Sequence, residues 1–354
     1  LAIDTRLISD INADVQAYQR LGLLANHAQE LIPKWDELVK EEPKRFIRDD
    51  FTVDPEALSN FRNSQIFVPD YPTREVNHFN LRNAIGGERR GINKLLRECL
   101  EVIKEAGCTD LLKKYPCDPA GNPHVFKHEG YSYTFRWHKH IYFLALFNRL
   151  LSDKLPPNFV ELDIGSSYGI YPSLLKKEHP GSHHILVDFP EQLVLAHYFL
   201  GTSLPGAKIG GLKDLDDGAP ITREFVEQND FTLVPVPRYL DIEAGTADLV
   251  TNFASFGEMS RTSFEYYINS HPFRTAKYFL TANRVMSWPD YETDLAVVDY
   301  PVWDSEKKLH FAVSPPFSHI YKYLRRYLFF NQRTSYPPYF EYVGGIPPCG
   351  TSKA

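Results

Sequence analysis

Cysteine, methionine and tryptophan are scarce, with four, two and four copies among 354 residues. Four cysteines cannot staple a chain of this length, so a disulfide scaffold is excluded. Cys99, Cys108 and Cys117 are evenly spaced but lack the close pairs of a zinc site. They read as separate reduced thiols, which predicts a cytoplasmic location. No run approaches the roughly 18 apolar residues that a membrane span requires. The first residues, Leu1 to Arg6, contain no apolar secretory segment. The net charge is −6 with both signs interspersed, which leaves no clustered basic face for a nucleic acid. No grouping of carboxylates and histidines has metal-ligand spacing, so metal-independent chemistry is expected.

What the chain does have is aromatic surface, with 21 Tyr and 24 Phe. Much of it belongs in a core, and any excess beside a cleft would suit stacking on a flat, partly polar ligand. The length exceeds one usual domain. The natural division is a mainly helical region over 1–152, serving acceptor binding, lid or oligomer contact, and a second domain over 153–354. A homo-oligomer stays open.

The helical region begins at 11–41, where Val15, Tyr18, Leu21 and Leu24 recur at helical steps. Asp10 or Asn12 is the expected cap, and Ile32-Pro33 breaks the pattern. A second helix is predicted over 88–106, with Ile92, Leu95, Leu96, Leu100 and Ile103 on one side. Arg89 and Arg90 open it, read either as solvated surface or as a site for an oxyanion. Short strands are expected near 124–126 and 131–135. A buried helix should follow over 141–151, entered through Arg136, His138 and His140.

The informative stretch is 158–190. An apolar run reaches Asp163, and Gly165, Ser167 and Gly169 then fall at steps of two. Small residues at that spacing turn a strand sharply and let a ligand approach the backbone. A helix is predicted at 171–178, then a strand ending in Asp188, 25 residues beyond Asp163. That is close to where a nucleotide-binding crossover places its ribose-binding acid. Three chemistries compete. A dinucleotide fingerprint wants its last glycine at the sixth position, where this chain has Ile170. Residues 165–169 also fit G-x-S-x-G, which would make Ser167 the nucleophile of an α/β-hydrolase-type esterase. Against it stand Asp163 at the strand end and the bulky helix opening Ile170, Tyr171 and Pro172. The third reading is an S-adenosylmethionine (SAM) site with Asp188 on the ribose.

Further strands are expected at 231–236, 247–253 and 276–284. Ligands bind outside the carboxyl ends of such strands, which places Asn252, Phe253 and Ala254 beside the crevice, with Asn283 and Arg284 facing it. The last sixty residues should hold strands six and seven, with an aromatic helix at 318–330.

Three segments carry a resemblance: Glu161 to Gly169 (ELDIGSSYG), Val187 to Glu191 (VDFPE) and Asp248 to Met259 (DLVTNFASFGEM). They resemble the motifs of a sugar O-methyltransferase family within the class I SAM-dependent methyltransferases, most clearly over 157–285. Such families commonly carry glycines where this chain has Ser166 and Ser167. The resemblance implies a Rossmann-like α/β fold, with a mostly parallel sheet of seven strands behind the helical N-terminal region. It implies SAM as cofactor, held by Asp163, Gly165, Ser166, Ser167, Tyr168, Gly169, Asp188, Phe189, Asn252, Phe253 and Ala254. The acceptor would be a hydroxyl of a sugar, a glycan or another small molecule, met by Arg136, Asn283 and Arg284. A weakly acidic hydroxyl needs a base. Glu258 follows the fourth strand and is the leading candidate, with His271 and His138 as the others.

Overall fold

Segments apolar on both faces become inner strands, because helices cover both sides of a parallel sheet. The computed structural model describes residues 4–25, 31–64, 66–67, 70, 87–287, 293–303, 305–313, 322–327, 330–335 and 338–347. A short hairpin, β1 (Phe126–His128) and β2 (Tyr131–Tyr133), precedes the main sheet. The sheet strands that follow are β3 (Val160–Ile164), β4 (His183–Asp188), β5 (Ile209–Gly210), β6 (Phe231–Pro235), β7 (Leu249–Phe253), β8 (Tyr278–Arg284) and β9 (Lys308–Val313). A separate hairpin, β10 (Lys322–Tyr327) with β11 (Phe330–Ser335), leads to the last sheet strand, β12 (Tyr339–Gly345).

Among the described residues the sheet has eight strands in the order β5-β6-β4-β3-β7-β8-β12-β9. The pairings from β5 to β8 are parallel, and β12 runs antiparallel to both β8 and β9. This is the Rossmann-like, mostly parallel sheet expected from the sequence. The eighth strand is the two-residue edge piece β5. From β3 the chain steps outward through β4 and β6, then returns to the other side of β3 as β7. That reversal creates a crevice at the carboxyl ends of β3, β4 and β7, the usual ligand position in open α/β sheets.

Helices Trp137–Leu150, Ile170–Glu178 and Pro190–Ser203 cover one face, in a core that also contains Ile11, Val15 and Tyr18 of helix Thr5–Arg20. Helices Arg261–Ile268 and His271–Arg274 cover the other around Phe256, Phe273 and Phe279. The N-terminal helix thus shares one apolar cluster with the sheet. Its cap is Asp4, whose carboxylate accepts from the Arg6 amide at 2.9 Å. The expected caps Asp10 and Asn12 lie inside the helix instead.

One sequence expectation about the C-terminal region is corrected. Over 318–330 the described residues form strands, with Lys322 paired to Ser335 and Tyr327 to Phe330. Aromatic-rich segments suit a pleated ribbon as well as a helix face, and pairing partners decide between them. The expected strands six and seven are β9 and β12, and Val297–Asp299 ahead of them is a single 3-10 turn. The side chains of Arg89 and Arg90 lie outside the described residues. No helix among the described residues is long and apolar enough to cross a membrane.

Candidate functional site

The turn after β3 is left-handed at three alternate positions, Gly165 (φ 73°), Ser167 (φ 53°) and Gly169 (φ 81°). Side chains other than glycine rarely adopt this region. At Gly165 an added Cβ would also run into the Ser255 side chain. The bend folds the chain back over β4: the Gly165 amide donates to the Val187 carbonyl at 2.8 Å, and the Ser167 amide to Asp188 Oδ2 at 2.7 Å. The Phe189 amide donates to Asp188 Oδ1 at 2.8 Å. Two backbone donors therefore fix the Asp188 carboxylate at the strand end. Burial nevertheless outweighs them and pushes this carboxyl up to about 7.

Above the turn lies a cavity of about 270 Å³, just below the roughly 300–1,000 Å³ usual for small-molecule sites. Gly165, Ser167, Asp188, Phe189, Phe253 and Ala254 line it from the sheet. Arg136 and Lys139 enter from the start of helix Trp137–Leu150, Glu258 from the turn after β7, Arg284 from the end of β8, and Ile32 and Trp35 from the N-terminal region. Six aromatic side chains, Trp35, Phe135, Phe189, Phe253, Tyr267 and Tyr339, make much of the wall. Phe253 is itself held flat against Phe143, with centroids 4.1 Å apart.

The other predicted residues lie behind this wall. Asp163 is buried and hydrogen-bonded at 2.8 Å to Thr251 Oγ1, which also lies 2.8 Å from Glu161. Strand alternation puts Asp163 on the same face as Glu161, under the helices. Burial pushes both carboxyls up. One hydroxyl has one proton to give, so a protonated Asp163 donating to Thr251 completes the pair. Tyr168 turns away to donate to Asp70 at 2.5 Å. Asp70 is in turn bound by the buried Arg62, with Nε at 2.7 Å. Ser166 and Gly169 do not line the cavity.

Asn252 and Asn283 form a bracket underneath. Asn283 Nδ2 donates to Asn252 Oδ1 at 2.8 Å, and Asn252 Nδ2 to the Ile164 carbonyl at 2.7 Å. They hold the ends of β3, β7 and β8 in register rather than facing a ligand.

Of the three proton-acceptor candidates, Glu258 alone reaches the cavity, with Oε1 2.7 Å from Arg284 Nη2. His138 is buried in its helix, with Nδ1 3.2 Å from the Thr134 carbonyl. Burial pushes it down to about 3, so its ring stays neutral. His271 bonds the Ile242 carbonyl at 2.8 Å and lies outside the cavity lining. Neither histidine is brought to the site. Among the described residues no group of three or more His, Cys, Asp or Glu could hold a metal ion.

Sequence reasoning missed Lys139, Gln192 and Trp35. Lys139 follows Arg136 by three residues, a spacing that puts both on one helix face, so the signal was present. Gln192 sits in the first turn of the helix after Asp188, where its Nε2 donates to Ser167 Oγ at 3.1 Å. Trp35 carries no local signal; it arrives through the tertiary fold, 6.4 Å from the Phe189 ring.

No protein-family model matches the chain, and no curated protein matches it. Solved structures are similar at low identity. Magnesium protoporphyrin IX methyltransferase from Synechocystis PCC 6803, with bound SAH, is 9% identical with a TM-score of 0.39, over 59% of this chain and 83% of that one. The YcgJ protein from Bacillus subtilis is 11% identical with a TM-score of 0.39, over 60% of this chain and 100% of that one. Phosphoethanolamine N-methyltransferase 2 from Haemonchus contortus, in complex with phosphomonomethylethanolamine and S-adenosylhomocysteine, is 12% identical with a TM-score of 0.36. That match takes in 58% of this chain and 52% of the other, so the chain spans about half of that protein. At these scores the likeness bears on neither substrate nor chemistry.

Proposed function

We propose that this chain is a SAM-dependent O-methyltransferase acting on a hydroxyl of a sugar or glycan. The observation that carries the reading is Asp188, fixed by two backbone amides at the end of β4 and facing the cavity under a left-handed turn. The donor set fits an adenosyl group. Asp188 would hold the ribose hydroxyls, and Phe189 and Val236 would form the wall on the side of the base. Gly165 lets the ligand approach the backbone, and Arg136 offers a guanidinium to the amino-acid carboxylate. Ser167, Phe253 and Ala254 complete this wall. Asp163, Ser166, Tyr168, Gly169, Asn252 and Asn283 shape the turn and the strand ends from behind.

When bound, the cofactor supplies an activated methyl group. The chain's task is then to orient the acceptor oxygen and exclude water, which is proximity catalysis. The remaining cavity wall, with Phe135, Tyr267 and Tyr339 around Glu258 and Arg284, supports an acceptor that has flat apolar faces and polar edges, as a sugar ring has. Ile32 and Trp35 support a lid role for the N-terminal region.

The esterase alternative needs a base at Ser167. Its hydroxyl oxygen instead lies 3.2 Å from Arg136 Nη1 and 3.1 Å from Gln192 Nε2, both donors. Incubation with isotope-labelled SAM and a panel of free, nucleotide-linked and polymeric sugars, followed by mass spectrometry, tests the proposal. Label in a panel sugar is expected. Label only in a non-sugar small molecule would overturn the sugar assignment and keep methyl transfer.

A further inference from the structure

Ser167 is the one left-handed residue of the 165–169 turn that is not glycine. A side chain in that conformation is strained, and it persists only where its surroundings over-determine it. Three contacts do so here. The Ser167 amide donates to Asp188 Oδ2 at 2.7 Å, and its Oγ accepts from Arg136 Nη1 at 3.2 Å and from Gln192 Nε2 at 3.1 Å. Gln192 is buried and reaches the hydroxyl from the first turn of helix Pro190–Ser203.

These contacts give the hydroxyl a direction. A serine Oγ has two lone pairs and one proton. N–H donors occupy both lone pairs, so the oxygen has only its O–H left to give. Among the described residues no acceptor meets that proton. Ser167 is partly exposed and lines the cavity beside Arg136 and Gln192. The Arg136 guanidinium is itself steadied over the Tyr168 ring, with Cζ 5.1 Å from the centroid. A cation and a fixed O–H donor thus stand side by side at one corner, a pairing that suits a carboxylate.

Resting on the SAM reading above, we propose that Gln192 and Arg136 lock the Ser167 hydroxyl as a one-way donor to the carboxylate of the cofactor's amino-acid arm. Ser167 then sets the preference for a nucleoside that carries an anion, and Gln192 is a positioning residue acting through it. Glycine would make the same bend without strain and would offer no such donor.

The test is isothermal titration of the full-length chain with S-adenosylhomocysteine and with its decarboxylated analogue, which keeps the amine. Ser167→Gly should lose about 10–100-fold in affinity for S-adenosylhomocysteine, as for one hydrogen bond to a charged group. Its affinity for the decarboxylated analogue should hold. Gln192→Leu should weaken S-adenosylhomocysteine binding on its own and change nothing further in the Ser167→Gly background. A merely structural role would weaken both ligands alike, and that result would overturn the proposal. So would wild-type affinity in Ser167→Gly, or losses that add in the double variant.

Thermal melts supply a second readout. Ser167→Ala removes the hydroxyl and keeps the strain, so it should match Ser167→Gly in lost affinity and melt below it. The reverse order of melting would contradict a strained residue kept for its donor. A wild type that binds neither nucleoside removes the SAM reading and this inference with it. Equal wild-type affinity for the two removes this inference alone.

Discussion

Arg284 Nη2 and Glu258 Oε1 meet at 2.7 Å on the cavity wall, both largely buried. The pair resolves two opposite charges into one polar surface, which suits a neutral acceptor better than an ionic one. Breaking it from one side leaves the other charge uncompensated in a site of low dielectric.

On this pairing, Glu258 is expected to position Arg284 rather than to take the proton. Glu258→Gln is expected to raise KM for the acceptor about tenfold, the equivalent of about 1.4 kcal/mol, with a smaller change in kcat and none in SAM affinity. Steady-state kinetics separates this from a base role, in which kcat would fall and KM would hold.

With Asp188 on the ribose, as proposed, cofactor binding should depend on pH. Burial raises its carboxyl to about 7, so the folded protein holds a proton there over a range where the unfolded chain has lost it. Its contribution to stability is therefore largest at low pH and declines as pH rises toward 7. Ribose hydroxyls need the ionised form, so SAM affinity should rise between pH 5 and 8 and binding should release a proton near pH 6. Calorimetry in two buffers of different ionisation enthalpy measures that proton; none released would separate Asp188 from the ribose.

The glycine turn is bolted to the N-terminal region through Tyr168, Asp70 and Arg62. Tyr168→Phe removes the 2.5 Å hydrogen bond to a buried carboxylate. A loss of about 1.5–3 kcal/mol is expected for a bond of this charged kind, read as a lowered urea midpoint at unchanged slope. Wild-type stability would mean that Asp70 finds another donor.

Helix Thr5–Arg20 is held by His197, whose Nδ1 lies 2.6 Å from Asp14 and whose Nε2 lies 3.2 Å from Asp10. Burial pulls the imidazole down, but the hydrogen bonds to Asp10 and Asp14 outweigh it and the net is raised. The stabilisation is complete below the ordinary histidine value of roughly 6.5 and is lost as pH rises through the folded one. The Tm of the wild type should fall more steeply above pH 6.5 than that of His197→Gln, and parallel curves would contradict this.

Part of the candidate cavity lining was legible because it is local. Gly165, Ser167 and Asp188 line it, and they belong to one strand–turn–helix–strand unit whose spacing is set by backbone geometry. Asp163 was misplaced by two residues' worth of alternation: it shares a face with Glu161, while the crevice begins only at the turn. Tyr168 and Asp70 are 98 residues apart, and no periodicity connects them. Lys139 lies between His138 and His140, and its place in the lining follows from its three-residue step from Arg136. Residues 318–330 suit a helix on sequence alone because helix and strand compete closely in a short aromatic and basic stretch, and only the partner strand decides.

The central claim is that the cavity over the 165–169 turn takes an adenosyl group gripped by Asp188. Isothermal titration of SAM into the wild type and Asp188→Ala, with thermal melts of both, tests it most directly. Saturable one-to-one binding that disappears in the variant, at an undiminished Tm, is predicted. Equal affinity in the two proteins, or no binding to the wild type, would contradict it.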